Sequence, residues 1–198
     1  MRFMRTLGLC LPALAISIAA CQPTPSETEK EKGKEETVAA PTMTPAQRGE
    51  YLVTVAGCND CHSPKIGPEV DKTRVLSGQP SDDKLPKVPR DLIGPQAWGV
   101  VVNNNFSAWV GPWGVSFAMN LTPDKETGLG SWTEDMFIKA LRTGKHQGTG
   151  RDILPPMPWQ GYARMTDEDL KAVFAYLQSL PPIKNPIPDP IPPDKVPH

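Results

Sequence analysis

Apolar residues recur at helical spacing in three separate stretches of the chain. The first begins at a capping sequence, Thr44-Pro45-Ala46-Gln47, and stops at Gly57. The second runs from Thr133 to Arg142, and the third begins at Thr166 and ends before Pro181. The third has the clearest i, i+3, i+4, i+7 pattern, formed by Leu170, Val173, Phe174 and Leu177. The pattern predicts three helices, each with one apolar face to bury.

Two other regions lack a helical period. Residues 63–130 are rich in Gly, Pro and Asn, and within them two short runs, 100–102 and 106–110, flank three consecutive asparagines. Because Asn tolerates the left-handed conformation that tight turns need, a small β-hairpin is predicted there. From 183 to 198, prolines alternate with apolar and charged residues, which predicts an extended tail that does not pack.

The N-terminus has the pattern of an export signal. Arg2 and Arg5 precede an apolar run, 7–20, that is too short for a comfortable membrane span. The run ends in Ile18-Ala19-Ala20-Cys21, which resembles the lipobox of bacterial lipoproteins. The resemblance implies that Cys21 is lipidated and becomes the first residue of the mature chain. An ordinary signal peptide that contains a cysteine is the alternative.

The pattern therefore predicts four parts. A signal peptide of the lipoprotein type occupies 1–20, and the lipidated cysteine with a disordered tether occupies 21–43. The tether is mostly Pro, Thr, Glu and Lys and has almost nothing to bury. A folded domain spans 44–182, and the Pro-rich tail 183–198 follows. The expected location is the bacterial periplasm, with the domain held at a membrane by its lipid.

Charge and cysteine content limit the classes of function that the chain can have. The formal net charge is −1 over 198 residues, which argues against nucleic acid as a partner. The chain has 4 cysteines. Cys10 leaves with the signal and Cys21 takes lipid, so Cys58 and Cys61 remain for a single site.

Those two cysteines belong to Cys58-Asn59-Asp60-Cys61-His62, the pattern that attaches c-type haem. The spacing allows both sulfurs to form thioethers to one porphyrin and holds His62 as the proximal iron ligand. A thioredoxin-like redox pair would be expected in a βαβ setting, whereas a helix precedes this motif. A structural zinc site usually has four ligands, and there is no second cysteine pair. One covalent haem c, with its iron, is predicted.

The sixth iron ligand has several candidates. Met157 stands in Pro155-Pro156-Met157-Pro158-Trp159, where proline-stiffened flanks reduce the entropy lost when a weak thioether ligand binds. Met119 and His146 are the alternatives, and His146 lies in a Gly-flanked loop where it could instead face solvent or a haem propionate.

The irregular segment also contains Trp98, Trp109 and Trp113. These tryptophans either screen the haem edge or fill a satellite core.

The domain resembles class I (mitochondrial-type) cytochromes c. The resemblance implies an all-α fold around one haem, interrupted here by the long irregular segment with its possible hairpin. It also implies that the first and last helices cross at Gly49, opposite Phe174 or Tyr176.

The second half is more specific. Asn120-Leu121-Thr122-Pro123-Asp124, the run 127–132 and Pro156-Met157-Pro158-Trp159 resemble the cytochrome c subunits of periplasmic alcohol- and aldehyde-type dehydrogenases. In that group the Met of the Pro-Met-Pro-aromatic segment is the iron ligand, which implies Met157 here. Those subunits often carry two or three haem motifs, whereas this chain has one.

The expected function is one-electron transfer, as a carrier or as the cytochrome subunit of a dehydrogenase, without catalysis by this chain. The expected partners are a dehydrogenase, an oxidase or another cytochrome. The alternative is a haem enzyme or gas sensor whose sixth site is open or labile.

Overall fold

The computed structural model describes residues 43–89, 91 and 99–197. The predictions for the signal peptide, for Cys21 and for nearly all of the tether lie outside the described residues, as does Trp98. No helix among the described residues is both long and apolar enough to cross a membrane.

All three predicted helices are present, together with two short ones. In chain order the helices are α1 (Pro45–Val55), α2 (Cys58–His62), α3 (Glu134–Thr143), α4 (Trp159–Tyr162) and α5 (Asp167–Ser179). Their ends follow local signals. Thr44 and Gln47 form the predicted capping box of α1, and Thr166 caps α5 by accepting from the Asp169 N–H. Gly57, at φ 67°, ends α1 and directly precedes α2.

Helices α1 and α5 cross at Gly49, as the resemblance implies. A Cβ at this position would lie 1.9 Å from the Ala172 carbonyl oxygen and 2.7 Å from Cβ of Tyr176. The facing aromatic is therefore Tyr176. Phe174 instead packs on Phe137 of α3, with 5.4 Å between the ring centroids. The crossing fixes α1, and with it the start of α2, against the last helix.

The irregular segment contains two small antiparallel sheets. Strands β1 (Lys65–Ile66) and β2 (Glu69–Val70) form one, while β3 (Val101–Val102), β4 (Ala108–Gly111) and β5 (Gly114–Phe117) form the other in that order. The predicted hairpin is confirmed as the β3–β4 pair, and β5 adds a third strand. The fold is thus helical with small antiparallel sheets, and the prediction of an all-α fold is corrected to that extent.

The predicted unpacked tail is wrong. Ile191 pairs with Val115 of β5 and joins Val196 against a second small core formed by Val88, Val110 and Val115. Asn185 is buried, and its side-chain amide donates to the carbonyl oxygens of Ser77 (2.7 Å) and Gln79 (2.8 Å). The tail is extended, but specific hydrogen bonds and apolar contacts hold it against the domain.

Candidate cofactor site

A large apolar pocket lies between the helices and the loop before α4. It encloses about 1430 Å³ of space free of protein atoms, part of it open to solvent. Most of its lining is aliphatic or aromatic, with contributions from α1 (Leu52, Val53), α3 (Phe137, Leu141) and α5 (Leu170, Val173). A concave, mostly apolar pocket with few polar groups is the usual form of a cofactor site.

All three predicted side chains of the haem motif line this pocket: Cys58, Cys61 and His62 of α2. The two cysteines are half-buried and form no disulfide. Burial raises the pKa of the Cys58 thiol to about 11 and also raises that of Cys61. A reactive redox pair has the opposite property, a lowered thiol pKa, so this environment disfavours the thioredoxin-like alternative.

The His62 imidazole has a defined orientation. Its Nδ1 lies 2.7 Å from the Met119 carbonyl oxygen, and the residue is only 9% exposed. Burial lowers the pKa of His62, which favours the neutral ring. Because a carbonyl oxygen can only accept, Nδ1 carries the proton and donates, and the lone pair on Nε2 is left to bind a metal. This is the usual arrangement of a histidine ligand and its orienting partner.

The main chain around His62 is held from two sides. The Gly78 N–H donates to the His62 carbonyl oxygen at 2.7 Å. The Ser63 hydroxyl accepts from the Leu76 N–H and donates to Asn59, both at 2.8 Å. These contacts and the Met119 acceptor were not predicted from the sequence. Most of the groups involved are backbone atoms from distant parts of the chain, and residue types do not predict contacts of that kind.

The three candidates for the sixth ligand, Met157, Met119 and His146, all line the same pocket, and Met165 lines it as well. Met157 lies between Pro156 and Pro158, which line the pocket as well. The preceding carbonyl, of Pro155, accepts from the Ser116 hydroxyl at 2.6 Å and anchors this loop on β5. Met119 has its carbonyl at Nδ1 of His62, on the ring edge away from Nε2.

Of the tryptophans considered in the sequence, Trp109 lines the pocket. Trp113 is not among the lining residues and donates instead to the Ser116 hydroxyl at 3.3 Å.

Across residues 43–89, 91 and 99–197, no group of three or more His, Cys, Asp and Glu side chains could hold a metal ion by itself. The described part of the chain therefore offers no ligand set for the structural zinc alternative.

No family model matches the chain, but several proteins of known function are similar to it. The cytochrome c subunit of gluconate 2-dehydrogenase from Pantoea cypripedii is 34% identical over 130 residues, which are 66% of this chain and 22% of that protein. The cytochrome c subunit of alcohol dehydrogenase (quinone) from Gluconobacter oxydans is 30% identical over 130 residues, 66% of this chain and 20% of that protein.

The fructose dehydrogenase cytochrome subunit of Gluconobacter japonicus is 29% identical over 189 residues, 95% of this chain and 31% of that protein. The chain thus spans between a fifth and a third of the length of these relatives. Their shared description confirms the predicted likeness to cytochrome c subunits of dehydrogenases. In sequence, then, the chain is cytochrome c-like, and these relatives are cytochrome subunits of dehydrogenases.

Proposed function

We propose that this chain binds one haem c covalently through Cys58 and Cys61, with His62 and Met157 as axial ligands, and transfers single electrons. The observation that carries the proposal is the convergence of the motif and the Pro-Met-Pro loop on one apolar pocket. The electron-transfer role agrees with the cytochrome subunits to which the chain is similar.

The residues present fit a covalently held haem. Two half-buried, unpaired thiols lie one helical turn apart on α2, beside a neutral imidazole whose Nε2 is free to coordinate. The apolar lining offers the porphyrin faces a surface that excludes water. When bound, the haem supplies one-electron chemistry between the ferrous and ferric states of iron.

The protein's part is to hold and tune that group. The Met119 carbonyl fixes the plane and tautomer of the His62 ring. His/Met ligation and the apolar lining would both favour the ferrous state of a bound haem, because oxidation adds positive charge in a low-dielectric site. If His62 and Met157 both bind the iron, the bound haem would have no open position for a substrate.

Met157 is the sixth ligand in this proposal. The Met119 backbone is committed to the Nδ1 edge of His62, which disfavours its side chain for the opposite face of the haem. Proline on both sides of Met157 and the anchor from Ser116 to Pro155 restrict the loop before ligation. A haem enzyme or gas sensor would need this position open or labile, and these restraints argue against it.

For location and partners, the proposal is a periplasmic protein anchored to a membrane through lipid on Cys21. The lipobox-like sequence supports the anchor, and the dehydrogenase subunits among the relatives support a dehydrogenase as electron donor. Metabolic labelling with palmitate tests the anchor. The wild-type protein should be labelled and Cys21→Ala should not, while a labelled, membrane-bound Cys21→Ala protein would contradict the lipobox interpretation.

Mass spectrometry tests the central claim. The mature protein, expressed with a c-type haem maturation system, should carry one haem mass on the peptide that contains Cys58 and Cys61. A variant with both cysteines changed to Ala should carry none. An unmodified cysteine peptide in the wild-type protein would remove the basis of the proposal.

A further inference from the structure

One part of the pocket lining is polar, in contrast to the rest. Trp132, His146 and Arg151 all line the pocket. The His146 ring meets Trp132 edge to face, with 5.0 Å between centroids and planes at 89°. The backbone couples Arg151 to the same place, since the His146 N–H donates to the Arg151 carbonyl oxygen at 2.8 Å. We call these three residues the polar corner.

The other polar side chains that line the pocket already have partners. Ser116 donates to the Pro155 carbonyl, Tyr162 to the Ala56 carbonyl and Trp109 to the Phe106 carbonyl. The His62 imidazole donates to the Met119 carbonyl. Among the described residues, the hydrogen-bonding capacity left for a ligand is therefore concentrated in the polar corner.

Arg151 is the only permanently charged side chain among the described lining residues. Its neighbour Asp152 is paired with Lys145 at 2.6 Å, and no salt bridge of residues 43–89, 91 and 99–197 includes Arg151. The guanidinium makes one hydrogen bond, to the Asp152 carbonyl oxygen at 3.3 Å. Since a guanidinium has five N–H donors, most of them remain for an anion.

A haem brings two propionate carboxylates to an otherwise apolar pocket. Burying a carboxylate is costly unless it is paired and hydrogen-bonded, and arginine forms the strongest such pairs. We propose that Arg151 binds a haem propionate, with Trp132 and His146 completing the contact, and that its charge raises the reduction potential. The sign follows from electrostatics, because a nearby positive charge disfavours the extra positive charge of the ferric state.

This inference depends on the proposed haem attachment, and the test separates the two. Arg151→Gln is compared with Arg164→Gln. Both arginines are exposed, but only Arg151 lines the pocket, so the two variants remove the same charge from different places. Haem content is measured first. A wild-type protein without covalent haem would refute the proposed function, whereas haem-loaded proteins allow the Arg151 inference to be decided.

In the haem-loaded proteins, Arg151→Gln should lower the midpoint potential and shift the propionate bending mode in the resonance Raman spectrum. Arg164→Gln should leave both near wild type. If the two variants behave alike, the inference is wrong.

Arg151→Lys provides a second test that keeps the charge, and it decides the matter if the Gln variant does not accumulate. Lysine should retain most of the potential, because the charge remains. It should still shift the propionate mode, because a planar bidentate contact is lost. A wild-type Raman spectrum in Arg151→Lys would overturn the assignment.

Discussion

Met157 gives the clearest prediction at the scale of a single residue. We expect Met157→Ala to abolish the methionine-to-iron charge-transfer band of the oxidised protein while leaving the covalent haem in place, because the proposal makes the Met157 thioether the sixth ligand. Absorption spectroscopy of the purified variant measures this. Met136→Ala is the matched control, since Met136 is 37% exposed and does not line the pocket. A band that survives in Met157→Ala would transfer the role to another methionine of the pocket.

A second residue-scale prediction concerns Asp71, in the loop that follows the haem motif. Hydrogen bonds from Thr73, both its hydroxyl and its N–H, and from Arg74 lower the pKa of Asp71 to about 2. A lowered pKa means that the carboxylate stabilises the fold above its unfolded pKa, near 4, and that the stabilisation is lost as the pH falls towards 2. Asp71→Asn should therefore lower the free energy of unfolding at pH 7, with a smaller difference from wild type at pH 3.

Chemical denaturation at pH 7 and pH 3 measures the free energy of unfolding of both proteins and checks this pH dependence. Asp189→Asn is the control, since Asp189 is exposed and makes no hydrogen bond or salt bridge in the described structure. An Asp71→Asn penalty that stays constant from pH 7 to pH 3 would contradict the prediction.

At the scale of helices, the close approach of α1 and α5 sets a steric limit. The Ala172 carbonyl oxygen would lie 1.9 Å from a Cβ at Gly49, and a backbone atom cannot rotate away as a side chain can. We expect Gly49→Ala to separate the helices and to lower the free energy of unfolding by about 2 kcal/mol or more. Gly161→Ala in α4 is the control, because a Cβ there would meet no atom within 4 Å. Equal stability of the two variants in denaturant titrations would show that the crossing is looser than described.

Elements with local signals were the predictable ones. Caps and glycine stops lie within a few residues of the helix ends they determine, so α1, α3 and α5 could be placed from sequence. Phe174 and Tyr176 lie two residues apart and face different sides of α5, but the side that meets α1 depends on the packing of the helices, so the sequence left both aromatics as candidates for the α1 contact. Strand β5 was missed because its pairing depends on β4 and on Ile191, far along the chain.

At the scale of the whole molecule, Asn185 joins the C-terminal segment to the domain. Its side chain donates to two carbonyl oxygens and accepts from the Ser81 N–H at 3.0 Å. We expect Asn185→Ala to lower the free energy of unfolding by about 2 kcal/mol, because buried backbone groups lose their partners. Thermal or denaturant unfolding measures the loss. Asn104→Ala should change stability little, because Asn104 is at an exposed turn position and its side chain makes no hydrogen bond to the described residues. If Asn185→Ala changes stability as little as Asn104→Ala, the Asn185 hydrogen bonds do not stabilise the fold.

The Asn185 contact could not be predicted from the sequence. Alternating prolines correctly predicted an extended segment, but packing depends on where that segment runs, which composition does not specify. In the candidate site, too, some residues could be predicted from local sequence and others depend on the folded structure. Motif spacing predicted Cys58, Cys61 and His62, and loop chemistry predicted Met157. The position of Arg151 in the pocket lining depends on the folded structure and has no signal in the sequence.

The hydrogen bond from His62 to the Met119 carbonyl has a consequence for variation in this protein. Many histidine ligands depend on a carboxylate side chain that one codon change can remove. Here the acceptor is a peptide oxygen, so it persists whatever side chain position 119 encodes. Substitutions at position 119 can therefore change the side chain that lines the pocket while the His62 imidazole keeps its tautomer and its orientation.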